Sequence, residues 1–288
     1  MVSTKTNKKN PETVIYWAMR IITYIIVFII AYIILDIVIK GLGVISWEFL
    51  TADPRKSGGE GGIFPAIIGT LYLVTGTIII ALPLGMLSAV YLTEYAKQSR
   101  LTKAIRLAII TLAGVPSIVF GLFGLGLFVI YFGFGASIIS GSITLACMIL
   151  PTIIVASEEA LKAVPGFMRE GSMALGATKW QTIYKNVLPY AIPGMLTGAI
   201  LGIGRAAGET APILLTAAAF FLPELPTSIF DPVMALPYHL YILATQHPDA
   251  QKILPMQYGT ALVLLILVVG LNLIAIVLRM RFRKKYRW

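Results

Sequence analysis

Six stretches of this chain stay apolar for about as long as a helix needs to cross a bilayer, roughly 20 residues. They cover residues 14–39, 63–95, 105–132, 137–156, 191–219 and 258–278. A segment in hydrocarbon has to satisfy its own backbone hydrogen bonds, and a continuous apolar run does so as helix. The composition agrees, with 58% hydrophobic and 12% charged residues, far from the soluble norm. The expectation is an all-α membrane protein with six transmembrane helices. The formal charge of +10 does not indicate nucleic acid, because the basic residues cluster at the ends of apolar runs with no interleaved aromatics. Cys147 is the only cysteine, so no intrachain disulfide can form. His239 and His247 lie in another segment, which argues against a Cys/His metal site. Lys5, Lys8 and Lys9 precede the first run as in a signal peptide, but the run is too long and has no small-residue cleavage site after it. It reads as an uncleaved first span.

The chain then divides into a cytoplasmic N-terminal segment (1–13), a six-span domain (14–278) and a basic cytoplasmic tail (279–288). Two outer loops are expected, at 40–62 and 220–257. The first carries Asp53-Pro54 and Gly58-Gly59-Glu60-Gly61-Gly62, turn and flexibility signals, and the second is too rich in proline for one helix. Lys97, Arg100, Lys103 and Arg106 form a short basic loop. Pro83 is expected to kink the second span. Gly114-Val115-Pro116-Ser117 breaks the third span, which opens the alternative of two re-entrant halves. In the fifth, Gly194, Gly198 and Gly202 make a stripe that lets another helix approach closely. Seventeen lysines and arginines fall on the side of the two termini and four on the other. This places both termini and the loop at 157–190 in the cytoplasm.

That loop carries Phe167, Met168, Met173 and Leu175 on a segment facing water, followed by Trp180, Ile183, Tyr184, Val187 and Leu188 at helical spacing. Pattern alone allows a satellite helix on the protein's own base or a docking helix for a cytoplasmic partner. The spacing Glu170-x5-Gly176-x11-Leu188-Pro189 resembles the EAA loop of ABC importer permeases. Gly171-Ser172 replaces the family's Ala-Ala, and Asn186 its isoleucine. The resemblance implies a type I ABC importer permease fold whose coupling helix seats on an ATPase. It marks Phe167, Met168, Arg169, Glu170, Met173, Leu175 and Gly176 as ATPase-coupling residues. Movement there would pass through Pro189 into the fifth span.

The fifth span contains Gly204-Arg205-Ala206-Ala207-Gly208-Glu209-Thr210-Ala211-Pro212. A charge at mid-bilayer costs roughly 2.5–3.5 kcal/mol on insertion scales. Glu209 lies four residues from Arg205, on the same helix face. The pair either holds helices together or faces an aqueous path where the arginine fork meets an oxyanion. Pro212 deprives the Gly208 carbonyl of its helical donor, so Gly208 and Pro212 mark a helix break and a candidate gate. Thr210 adds a hydroxyl to the path. The segment resembles PstA-type permease subunits of phosphate ABC importers, within the binding-protein-dependent transport permease family. The resemblance implies a subunit of the prokaryotic plasma membrane, surrounded by lipid and carrying phosphate. Its partners would be a PstC-type permease, two copies of a PstB-type ATPase and a PstS-type phosphate-binding protein outside. Molybdate or sulfate is the alternative cargo. A self-contained secondary transporter should show two related halves or several membrane-buried ionisable residues; no internal repeat is evident, and the coupling-type loop has no role there. The chain has no Gly-x4-Gly-Lys-Ser/Thr, so it is not expected to be an enzyme or to hold a cofactor or metal. ATP and Mg are expected in the partner ATPase.

Overall fold

The computed structural model describes residues 11–248 and 250–285. The basic residues Lys5, Lys8, Lys9 and Arg287 lie outside them. Helix α1 spans Pro11–Leu42 and is followed by the short α2, Trp47–Thr51. A hairpin of β1 (Pro54–Arg55) and β2 (Glu60–Gly61) leads to α3, Phe64–Val90, which continues as a π-helical turn to Tyr95. Next come α4 (Arg100–Ala113), α5 (Ser117–Gly124, running on as a π-helix to Tyr131) and α6 (Ile138–Lys162). Two short helices follow, α7 (Gly166–Ala174) and α8 (Lys179–Thr182, extended by a π turn to Val187). The last four are α9 (Leu188–Gly208), α10 (Ala211–Thr216), α11 (Leu236–Thr245) and α12 (Leu254–Lys285).

Local chemistry sets many of these boundaries. Ser46, Ser99 and Ser137 cap α2, α4 and α6 by accepting from backbone amides of the first turn, and Thr178 with Gln181 forms a capping box on α8. Pro83 and Pro151 sit inside α3 and α6 without ending them. Inside the bundle Thr70, Thr77, Thr144 and Thr216 donate to carbonyls four residues back, at 2.7–2.8 Å. Each hydroxyl is thereby satisfied where no water reaches.

The core is α3, α6 and α9 packed side by side. The glycine stripe of α9 is the seam. A Cβ at Gly194 would meet that of Ala160 at 2.6 Å, one at Gly198 that of Ala156 at 2.6 Å, and one at Gly202 the tip of Ile149 at 3.3 Å. Gly85 of α3 lies as tightly on Ile153. Helix α1 is exposed along its length apart from its outer end, where Gly41 touches Leu262 of α12. Such a surface is compatible with lipid or another membrane subunit, not with water.

Two expectations change. The third span begins at Arg100, so most of the basic loop is helical, and α4 and the α5 segment meet at a 105° bend. They nevertheless cross together. Arg106 lies beside Glu158, Ile109 lines the same cleft as Ile154, and Gly124 lies against Thr144. Glu158 to Thr144 is about 21 Å along α6 at 1.5 Å per residue, so the broken span climbs most of α6 and is not re-entrant. The glycine-rich outer loop is a packed cap and not a flexible tether. Phe49 and Ile63 are buried in it, and Gly58 and Gly61 adopt φ of +88° and +85°. Gly58 rests on the ring of His239 in α11. At the break marked by Gly208 and Pro212 the fifth span is two helices, with Glu209 extended between them at φ −78°, ψ 131°.

Candidate functional site

Three faces of the molecule combine unusual chemistry with a defined position. The first is the break in span five. Helix α9 turns Met195, Ala199, Gly202 and Ala206 into the core and leaves Leu201, Arg205 and Gly208 on its open side. Gly202 meets Ile149, near the middle of α6, so Arg205 sits about one turn from the middle of that helix, toward its Ile138 end. Its Nε donates to Glu209 Oε1 at 3.2 Å, with the two side chains 40% and 20% exposed. The pair is open to whatever lies across this face. The other Arg205 nitrogens have no hydrogen-bond partner among the described residues. Space beside Gly208 is empty, whereas Pro212 is buried against Gly121 of α5. The break is therefore anchored on its outer side and open where the arginine stands. Asn272 of α12 packs on Gly204, and its Oδ1 is buried without a partner among the described residues. A single amide within an apolar run was the available sequence signal for it.

The second is the end of the bundle that carries α7 and α8. Helix α7 has two faces. Phe167, Glu170, Met173 and Leu175 point to solvent, Leu175 being 90% exposed after the last turn, and Gly176 closes the helix at φ +85°. Met168 and Arg169 point the other way. Met168 packs on the apolar cluster that contains Val90, Leu92, Leu161 and Val164. Arg169 donates to Glu94 from Nη2 at 2.7 Å and from Nε at 3.2 Å, and to the carbonyls of Val164 and Leu161 at 2.7 and 2.9 Å. The side chains of these two coupling candidates are thus used internally, and the outward face of α7 is formed by Phe167, Glu170, Met173 and Leu175. Glu94, only 8% exposed, was missed. Its neighbours in sequence are those of an ordinary interfacial carboxylate, and its partner lies 75 residues away. A looser contact flanks this one, with Arg106 donating to the Leu92 carbonyl at 2.7 Å and standing 3.6 Å from Glu158.

The third is the opposite end of the bundle, formed by the cap and α11. An open cleft of about 610 Å³ lies between the cap and the segment before α12, lined by Lys56, Gly59, Glu60, His247, Lys252 and Ile253. Lys56 pairs with Glu60 at 2.6 Å. His239 beneath the cap is buried with Nε2 unpartnered among the described residues, and burial pushes its pKa down to about 4. Among the described residues no cluster of three His, Cys, Asp or Glu side chains is suited to a metal.

Comparison with known proteins follows the same layout. Residues 81–288 match the family described as binding-protein-dependent transport system inner membrane component. A probable phosphate transport system permease protein PstA of Methanocaldococcus jannaschii is 35% identical over 263 residues, 91% of this chain and 92% of its own. The phosphate transport system permease protein PstA 1 of Mycobacterium tuberculosis (strain ATCC 25618 / H37Rv) is 38% identical over 220 residues, 76% of this chain and 70% of its own. The probable ABC transporter permease protein YqgI of Bacillus subtilis (strain 168) is 36% identical, covering 83% of this chain and 85% of its own. Among solved structures, a bacterial ABC transporter involved in alginate import superposes with a TM-score of 0.68 at 14% identity, over 93% of this chain and 95% of that one. The inward-facing MetNI methionine ABC transporter gives 0.57 at 19%, over 77% and 94%. At these identities the structural likeness is one of fold.

Proposed function

This chain belongs to the family of binding-protein-dependent transport system inner membrane components, and from that premise we propose that it is the PstA-type permease of an ATP-driven phosphate importer. It is a multi-pass membrane subunit and a transport component, not an enzyme. The observation that carries the substrate is identity above 30% to phosphate permeases over most of the chain. The site chemistry supports it. Arg205 stays charged in a partly dry setting, and its free nitrogens suit two phosphate oxygens. Glu209 balances that charge when the path is empty, and Thr210 adds a hydroxyl beside it. A guanidinium already shared with a carboxylate binds an anion weakly, which suits a conduit that has to release its cargo. Gly208 and Pro212 form the gate, one open and one anchored.

In this reading the open face of α9 meets a PstC-type permease, and the two together enclose the path. A PstS-type binding protein delivers phosphate to the outer surface formed by the cap and the residues around α11. Two PstB-type ATPases sit below, holding ATP and Mg. One of them receives Phe167, Glu170, Met173, Leu175 and Gly176, and its displacement of α7 passes through Pro189 into α9. Both termini are cytoplasmic.

The test is ATP-dependent uptake of labelled phosphate by the assembled importer in proteoliposomes. Arg205→Gln is expected to lower uptake at least tenfold while ATP hydrolysis persists, and Glu170→Lys to reduce hydrolysis-coupled transport. Wild-type uptake by Arg205→Gln would remove Arg205 from the path. Equal uptake of molybdate or sulfate by the wild type, in competition with phosphate, would reassign the cargo.

A further inference from the structure

Helix α7 stands on the base through few contacts. None of its side chains is fully buried. Met168 packs on the base cluster and Ser172 Oγ reaches Thr182 Oγ1 at 3.0 Å. On the C-terminal side the chain leaves α7 through Gly176 at φ +85° and an Ala-Thr connection into α8. That covalent route to α9 passes through a turn.

Arg169 is of a different kind. Its guanidinium donates to one carboxylate and two carbonyls belonging to two other elements. Glu94 lies in the last turn of the α3 span. Leu161 in the last turn of α6 and Val164 just beyond it supply carbonyls at the C-terminal end of that helix, where the dipole favours a cation. Arg169 is 21% and Glu94 8% exposed, so the contact is largely shielded. Planar guanidinium geometry holds direction as well as distance. Helices α3 and α6 are themselves locked together at Gly85 and Ile153, and α9 to α6 at Gly194 and Gly198.

We propose that Glu94 and Arg169 are positioning residues that form the mechanical joint between the docking helix and the transmembrane bundle. This rests on the coupling role given to α7 above and changes its route. A push on Phe167, Glu170, Met173 or Leu175 reaches the ends of spans two and four directly, and α9 with Arg205 follows through the glycine seam. Lysine at 169 keeps the charge but loses the fork, so it holds the joint only in part.

The experiment uses the assembled importer in proteoliposomes, with Cys147→Ala and a single reporter, Leu201→Cys, on the open face of α9. ATP hydrolysis, phosphate uptake and the ATP-dependent change in maleimide labelling at position 201 are measured together. Arg169→Gln is expected to keep hydrolysis within about twofold, lower uptake per ATP about tenfold and abolish the labelling change. Arg169→Lys should recover part of both. Adding Glu94→Gln to Arg169→Gln should cost nothing further, since both act through one contact. An unchanged labelling response in Arg169→Gln overturns the joint, as do additive losses in the double variant or a parallel fall in hydrolysis and assembled complex. An importer that shows ATP-gated labelling but takes up no phosphate contradicts the substrate assignment and leaves this readout intact.

Discussion

Replacing Gly198 with alanine adds one methyl group to the seam between α9 and α6. The new Cβ would stand 2.6 Å from the Cβ of Ala156, with the Ile153 Cα and the Thr152 carbonyl oxygen at 3.4 Å. Carbon atoms rest at about 3.5–4.0 Å, so the helices have to part by about 1 Å. No flexible side chain absorbs this, because the obstruction is a methyl fixed to backbone. Overpacking of this kind costs about 1–3 kcal/mol. Alanine also favours helix over glycine by about 1 kcal/mol, and a control removes that contribution. Gly270 in α12 has nothing within 4 Å of its Cβ position, so Gly270→Ala collects the propensity without the clash. Gly198→Ala should therefore melt below Gly270→Ala by an amount equivalent to about 1–3 kcal/mol, or roughly 2–12 °C at 2–4 °C per kcal/mol. Gly202→Ala meets only the tip of Ile149 at 3.3 Å and should fall between them. Adding Ala156→Gly to Gly198→Ala removes the methyl that is struck and should restore most of the loss. The assay is the melting midpoint of the purified chain in one detergent across the series. A Gly198→Ala variant as stable as Gly270→Ala, or no rescue by Ala156→Gly, would refute the seam as the determinant of helix spacing.

Three further outcomes follow from the outer surface and the topology. His239 has a folded pKa of about 4 against 6.5 in the unfolded chain, so the unfolded state binds the proton first and stability falls as pH drops from about 6.5 to 4. The loss approaches about 3 kcal/mol at 1.36 kcal/mol per pKa unit, and His239→Leu should flatten that part of the melting-versus-pH curve. Gly61 has φ +85°, and a Cβ there would collide with the Asp53 carbonyl. Gly61→Ala should open the cap to limited proteolysis within residues 53–63 while leaving the helical circular dichroism signal unchanged. With Cys147→Ala as background, a cysteine at Lys252 should react with an impermeant maleimide on intact cells and one at Arg281 only on opened cells. The reverse pattern would invert the assigned orientation.

The sequence itself determined what depends on partition and on local backbone chemistry. Six apolar runs, the charge asymmetry at their ends, the glycine stripe of α9 and the break imposed by Pro212 follow from hydrocarbon length, insertion electrostatics and a missing N–H. Each requires knowledge of only a few neighbouring residues. The loop spacing around Glu170 and the stretch around Arg205 carried the family in the same local way. Tertiary structure decided the rest. The 105° bend at Gly114–Ser117 still crosses because α6 offers contacts along its length, which no reading of proline and glycine supplies. The glycine-rich outer loop became a cap because Phe49 and Ile63 bury in one cluster with Met234, Leu236 and Val263 from distant segments. Arg169 and Glu170 are adjacent, oppositely charged residues on one short helix, and their sequence does not tell which of them turns inward. One turns inward because a carboxylate 75 residues away and two carbonyls at and just beyond the end of α6 converge on it, and the other faces water.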